Sequence, residues 1–283
     1  MSTLRVHHLN CGTLCPACAP LIHGPRGLSG WLQSARMVCH VLLIETPQDG
    51  LILVDTALGR DDLARPAARL GRSFVAITRP VLRPEQTAHA QIRALGLDPA
   101  DVRHIILTHL DLDHAGGLSD FPQAQVHVHE AEYQAAMHPD WRSQARYRAC
   151  QWSHQPRWVQ HRTSHGAWQG LQAITPIDGL QADLALVPLI GHTRGHCGVA
   201  VRTDQGWLLH AGDAYFHHTQ LRDPAQTPLG IRLFEQAVQT LPDERRANLA
   251  ALQTLSRQTD PALQIFSAHD VVEFERLSGS AVV

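Results

Sequence analysis

The sequence predicts an α/β fold, and three observations carry that prediction. Short continuous apolar runs, such as Ile105, Ile106 and Leu107, have the pattern of strands buried on both faces. Stretches with helical spacing lie between or after them, at residues 84–95, 130–137 and 231–257. Several of the runs also stop at a turn that presents His or Asp, the place where α/β folds collect their chemistry. At 283 residues, 44% of them apolar and 18% charged, the chain can bury a large core without disulfides. No internal repeat, low-complexity tract or linker divides it, so a single domain over residues 1–283 is expected.

In chain order, residues 4–10 form an opening strand, and residues 11–35, rich in Cys, Pro and Gly, form a long loop. Residues 37–46 and 51–56 are apolar strands joined as a hairpin by Pro47, Gln48, Asp49 and Gly50. Residues 57–83 form a surface excursion with a short helix, and residues 84–95 a helix with Pro in its first turn and Gly96 past its end. A strand leads from Asp101 into the stretch 108–117, followed by a strand at 125–128 and a helix at 130–137. Residues 138–170 carry Trp141, Trp152, Trp158 and Trp168 interleaved with five arginines, and are either a helical insert packed on the body or a lid over substrate. Strands resume at 173–177, 184–190, 197–202 and 207–210, then one or two helices broken near Pro242, then a short strand ending at His269.

Composition narrows the function. The net charge of −2 argues against a nucleic-acid partner, because phosphate binding rests on concentrated positive charge. Every one of the 24 basic residues is Arg, which excludes a lysine-dependent mechanism. The opening residues lack an apolar signal segment and no apolar run is long enough to span a bilayer, so a cytoplasmic protein without a membrane partner is expected. Six cysteines in a chain this long do not suggest a disulfide scaffold, and Cys15 and Cys18 are expected to be reduced loop thiols. Of the twenty histidines, His7, His8, His127, His129, His217 and His218 are expected to face solvent or to support ligands rather than bind metal.

The stretch THLDLDHAGG places His109, Asp111, Asp113 and His114 at a strand-to-helix junction, with paired glycines that let the backbone bend away. Imidazole suits zinc and iron, while carboxylates favour harder ions or bridge two metals. Further along, VPLIGHTRG presents His192, LLHAGDAYF presents Asp213 and IFSAHD presents His269. Together these motifs resemble the metallo-β-lactamase superfamily, and in particular its lactonase and glyoxalase II-like hydrolases. The resemblance covers about residues 37–270, with Asp55 matching the family's early strand-end Asp and one departure: Asp111 stands where HxHxDH has its second His.

The resemblance implies a four-layer αβ/βα sandwich with the site at the shared edge of two facing sheets. It implies a first metal on His109, Asp111 and His192, a second on Asp113, His114 and His269, and Asp213 bridging them. The two divalent ions, zinc or alternatively manganese or iron, would share a hydroxide that attacks a carbonyl of a small-molecule substrate. Asp113 or Asp213 would pass the proton to the leaving group, Tyr215 would act as oxyanion donor, and Asp55 and His196 would orient ligands. A lactone, ester or thioester is the expected substrate, and a homodimer is compatible with the class. Without Lys, and with Asp rather than Cys at 213, a β-lactam hydrolase of the commonest type and glyoxalase II are disfavoured. The carboxylate at 111 also admits a di-iron oxidoreductase on the same fold, and a non-catalytic metal-binding protein is a third reading.

Overall fold

The computed structural model describes residues 4–17, 19–23, 34–163, 166–258 and 262–282. Its strands, in chain order, are β1 (Arg5–Leu14), β2 (Met37–Glu45), β3 (Leu51–Val54), β4 (Pro80–Val81), β5 (Val102–Ile106), β6 (Gln125–His129), β7 (Arg157–His161), β8 (Gly166–Trp168), β9 (Leu171–Ala173), β10 (Leu184–Pro188), β11 (Cys197–Thr203), β12 (Gly206–His210) and β13 (Leu263–Phe266). They form a seven-stranded sheet in the order β4-β1-β2-β3-β5-β6-β7, a four-stranded sheet β10-β11-β12-β13 and a small β8-β9 ladder.

The two-residue period of the strands sorts side chains into layers. Leu42, Ile44, Ile52, Val54 and Ile106 point from the larger sheet toward Leu186, Val199, Val201, Leu208 and Phe266 of the smaller one, closing a core between the sheets. Their alternates Leu43, Leu53 and Ile105 face outward and pack with Ile92 and Phe121. On the far side of the smaller sheet, Leu252 and Leu255 of the helix Pro242–Arg257 cover Val187, Ala200, Leu209 and Ile265. Helices, sheet, sheet and helices make the four-layer α/β sandwich.

Several expectations are corrected. The opening strand runs on to Leu14 through an irregularity between Asn10 and Thr13, because Cys11 and Leu14 have core to bury. Residues 57–83 hold three short helices where the sequence predicts one, anchored by the buried pair Arg69 Nε to Asp62 Oδ1 at 2.9 Å. In the expected strand at 173–177, only Ala173 lies in a ladder and Ile174 makes an isolated bridge to Leu186. The helix Val271–Ser278 follows β13, capped by Asp270, whose side chain accepts from Glu273 N. Cys18 lies outside the described residues.

Residues 138–170 are not a helical insert: they include the short 3-10 turn Ala149–Trp152 and edge strand β7. Trp152 is buried, Trp158 packs edge-on against Tyr133, Trp168 against Trp207, and Trp141 is exposed. His127 and His129 are buried rather than solvent-facing, and His127 hydrogen-bonds His104 and His161 at 2.9 Å on its two sides, with no carboxylate in that chain.

Candidate metal centre

The strand ends and the turn after β10 bring the site together. β5 delivers Thr108 and His109, the turn after β10 delivers His192, β12 delivers Asp213 and β13 delivers His269. Asp55, just past β3, adopts φ 59°, a left-handed conformation a non-glycine residue holds only when its surroundings fix it. The fixing is visible. Its Oδ1 accepts from Thr108 N at 2.8 Å, and its Oδ2 accepts from Thr108 Oγ1 and His114 Nδ1, both at 2.8 Å.

That arrangement dictates which imidazole nitrogens carry protons. The Thr108 hydroxyl gives its one hydrogen to Asp55, so at 2.9 Å from His109 Nδ1 it must accept, which leaves His109 Nε2 with a free lone pair. His114 donates through Nδ1 to Asp55, and His269 donates through Nδ1 to Val38 O at 2.7 Å. Their Nε2 atoms then face each other at 3.3 Å. Two lone pairs at that distance repel unless a proton or a cation lies between them.

The carboxylates complete two groups. Asp213 Oδ2 lies 3.8 Å from His109 Nε2 and 3.4 Å from His192 Nε2, while its Oδ1 lies 3.3 Å from His114 Nε2 and 3.2 Å from His269 Nε2. Asp111 Oδ2 joins the first group, 2.9 Å from His192 Nε2 and 3.4 Å from His109 Nε2. Asp113 joins the second, with Oδ2 3.7 Å from His269 Nε2. The donor sets fit two cations: His109, Asp111, His192 and Asp213 converge in one set, His114, Asp213 and His269 in another, and Cys39 with Asp113 and His269 flanks the latter. The buried atoms His109 Nε2 and Asp213 Oδ1 have no hydrogen-bond partner, as metal-ligating atoms would not.

The electrostatics agree with the geometry. Burial would lower the His114 imidazole, but Asp213 and Asp55 hold it well above its ordinary range. Burial and then Arg146 depress His192 to about 4. Burial would raise Asp213, yet His269 and His114 hold it well below the usual carboxylate range. His196 donates through Nδ1 to Leu189 O at 3.0 Å and accepts through Nε2 from Asp213 N at 2.9 Å, so it orients the shared carboxylate. Gly212, at φ 54°, must be glycine for this: a Cβ there would meet His196 Nε2 at 2.5 Å.

Tyr215 does not reach the site. Its ring is fully buried beside Ala214 and Leu221, and its hydroxyl donates to Glu273 at 3.0 Å; the next residue, Phe216, faces the site instead, stacked on His269 with centroids 5.6 Å apart. Tyr215 is therefore not placed to act as an oxyanion donor.

Three residues escaped the sequence reading. Buried Glu132 accepts from Leu110 N and Tyr147 Oη through Oε1 and from Gly195 N through Oε2, tying the loop of His109 and Asp111 to the loop of His192. Arg146 reaches Asp111, and Cys39 lies among the second group. Only the spacing of Glu132 within a helix, and of Cys39 along an apolar strand, hinted at inward-facing positions.

The fold and this His/Asp constellation define a metal-binding hydrolase, and the chain belongs to the metallo-beta-lactamase superfamily, whose family description matches residues 35–254. Over 268 residues the chain is 41% identical to a protein of Mycobacterium tuberculosis named as a probable metallo-hydrolase, covering 94% of this chain and 80% of that protein. It is 33% identical over 141 residues to the N-acyl homoserine lactonase AttM of Rhizobium johnstonii, covering 50% of this chain and 51% of that one. Among solved structures, an N-acyl homoserine lactone hydrolase with N-hexanoyl-L-homoserine at its metal centre superposes with a TM-score of 0.70 at 19% identity, covering 100% of this chain and 98% of that chain. The dizinc quorum-quenching lactonase AidC superposes with a TM-score of 0.61 at 17% identity, covering 95% and 89%.

Proposed function

We propose that this metallo-hydrolase opens lactones or simple esters, thioesters included, that carry an apolar acyl group. The observation that carries the reading is the cavity of about 360 Å³ above the His/Asp groups. Its floor is Asp111, Asp113, His192, Asp213 and His269, and its walls are Leu14, Ile22, Met37, Phe74, Phe216, Phe234 and Val238. A polar floor under apolar walls suits a scissile carbonyl with a hydrocarbon tail. Arg146, on the wall, is ion-paired with Asp111 and donates to Thr240 and the carbonyls of His192 and Val238, so it offers little to an anionic substrate. The lactonase names among the relatives agree with this substrate class.

In the proposed mechanism His109, Asp111 and His192 would hold one cation and Asp113, His114 and His269 another, with Asp213 facing both groups. When bound, two divalent ions would supply polarisation of the carbonyl and activation of a water, with zinc the proposed metal and manganese or iron its competitors, since each position combines two imidazoles with two carboxylates. Asp55 and Val38 O fix the tautomers of His114 and His269, and Thr108 that of His109. Asp113 lines the cavity, where it would take the proton released by the attacking water and pass it to the departing oxygen. Phe216 and Phe74 keep solvent from the acyl tail.

The test is a panel of lactones, esters and thioesters of rising chain length, run before and after chelation. Chelated protein should lose activity and regain it with added zinc, and kcat/KM should rise with chain length. Activity indifferent to chelation, or none on the whole panel, overturns the reading.

A further inference from the structure

The feature that the metal-ligand motif leaves unexplained is the carboxylate at position 111, and the structure gives it a partner. Arg146 Nε lies 2.9 Å from Asp111 Oδ1, with both side chains largely buried, while Asp111 Oδ2 turns to His192 and His109. The contact is an ion pair without a well-aligned hydrogen bond, so charge rather than direction is what passes between the two groups. The remaining arginine donors hold the molecule around the same group. Nη1 donates to His192 O at 2.9 Å and to Thr240 Oγ1 at 3.0 Å, and Nη2 donates to Val238 O at the end of the helix Leu229–Val238.

We infer that Asp111 and Arg146 act as one unit in place of a neutral imidazole, with Arg146 a positioning residue for the first metal group. The inference rests on the proposed reading that His109, Asp111 and His192 hold a cation. The charge count supports it. Asp111, Asp113 and Asp213 bring three negative charges, and Arg146 returns the sum to two, the sum that a histidine at 111 would have without the arginine. The arginine also sorts the two carboxylate oxygens, holding Oδ1 and leaving Oδ2 for the cation, and it pins the backbone that carries His192. A guanidinium stays charged at any pH the protein survives, so the compensation is permanent.

The unit makes a coupled prediction. Asp111→His alone would leave the buried Arg146 guanidinium without its carboxylate partner beside the first group, whereas Asp111→His with Arg146→Met would restore the simpler balance. Apo-protein of the wild type, D111H, R146M and D111H/R146M is titrated with zinc against a chromophoric chelator, and cobalt spectra report the ligand set. Wild type should bind two zinc ions. D111H should lose one of them or bind it between about 10- and 100-fold more weakly, and the double variant should recover it to within about threefold, a non-additive result. R146Q, which keeps hydrogen-bond donors but no charge, should rescue D111H as R146M does, and circular dichroism of each apo-protein checks that the fold is kept. Two tightly held zinc ions in D111H, or a double variant no better than D111H, overturns the inference. A His109→Ala protein that still holds two zinc ions as wild type does would instead remove the reading on which it rests.

Discussion

In the group around His114 and His269, each imidazole is steered from behind: Asp55 accepts from one Nδ1 and Val38 O from the other. In the group around His109 and His192 the steering differs, for His109 leans on the Thr108 hydroxyl, and His192 Nδ1 has no partner among the described residues. There the order comes from the other side, through Arg146 on the His192 carbonyl and on Asp111, and through Glu132 on the neighbouring amides of Leu110 and Gly195. One half fixes its ligands by the far nitrogen, the other by its loops. Two equally buried ligand sets can thus be preorganised in different ways, and damage to one should be separable from damage to the other.

The largest effect should come where the halves are joined. Asp213→Ala removes the carboxylate that faces both groups, so kcat/KM should fall by roughly three orders of magnitude, equivalent to about 4 kcal/mol of transition-state stabilisation. Metal analysis should show both ions weakened; loss of only one would mean that Asp213 belongs to one half.

Asp55→Asn should sharpen the contrast. It replaces the acceptor of His114 Nδ1 and should weaken the second cation between about 10- and 100-fold while leaving the first near its wild-type affinity. Equal weakening of both ions would show that the Thr108 contacts couple the halves. Nothing in its position after an apolar strand distinguished that role from a cap; only the closure of β3 beside β5 brings Asp55 under His114.

The legibility of this chain follows the same line. His109, Asp113, His114, His192, Asp213 and His269 stand at the ends of apolar strands, a local pattern, and the layered fold follows from where those strands fall. Arg146 acts on Asp111 across 35 positions and Glu132 on Leu110 across 22, partners that no local pattern connects to them. Tyr215 shows the opposite failure. It sits beside a site residue in sequence, yet successive side chains diverge, and its phenol has Glu273 to satisfy while Phe216 takes the site-facing place. For the tryptophans of 138–170 the alternation of aromatic and basic residues admits both packing on the body and a cover over substrate; Trp152 and Trp168 are packed into cores, while Ala145 and Arg146 line the cavity.

The smallest effect concerns His127, whose two ring hydrogen bonds go to imidazoles rather than to a carboxylate, unlike His114 in the metal centre. Burial, then His161 and His104, lower His127 from the ordinary 6.5 to about 3, so the folded protein holds it neutral while the unfolded chain takes up a proton. Stability from this residue is therefore present above pH 6.5 and is lost as pH falls toward about 3. The urea midpoint of wild type should drop across that window, and His127→Gln should flatten the drop while leaving zinc binding unchanged. An unaltered slope would show that His127 does not set the acid sensitivity.

His269 lies just past β13, which follows the long helix Pro242–Arg257. It stands 155 positions after His114, and the second candidate ligand group lacks it until β13 lies parallel to β12. Affinity at that group is therefore tied to the folding of β12 and β13, and metal uptake there should follow that pairing rather than precede it.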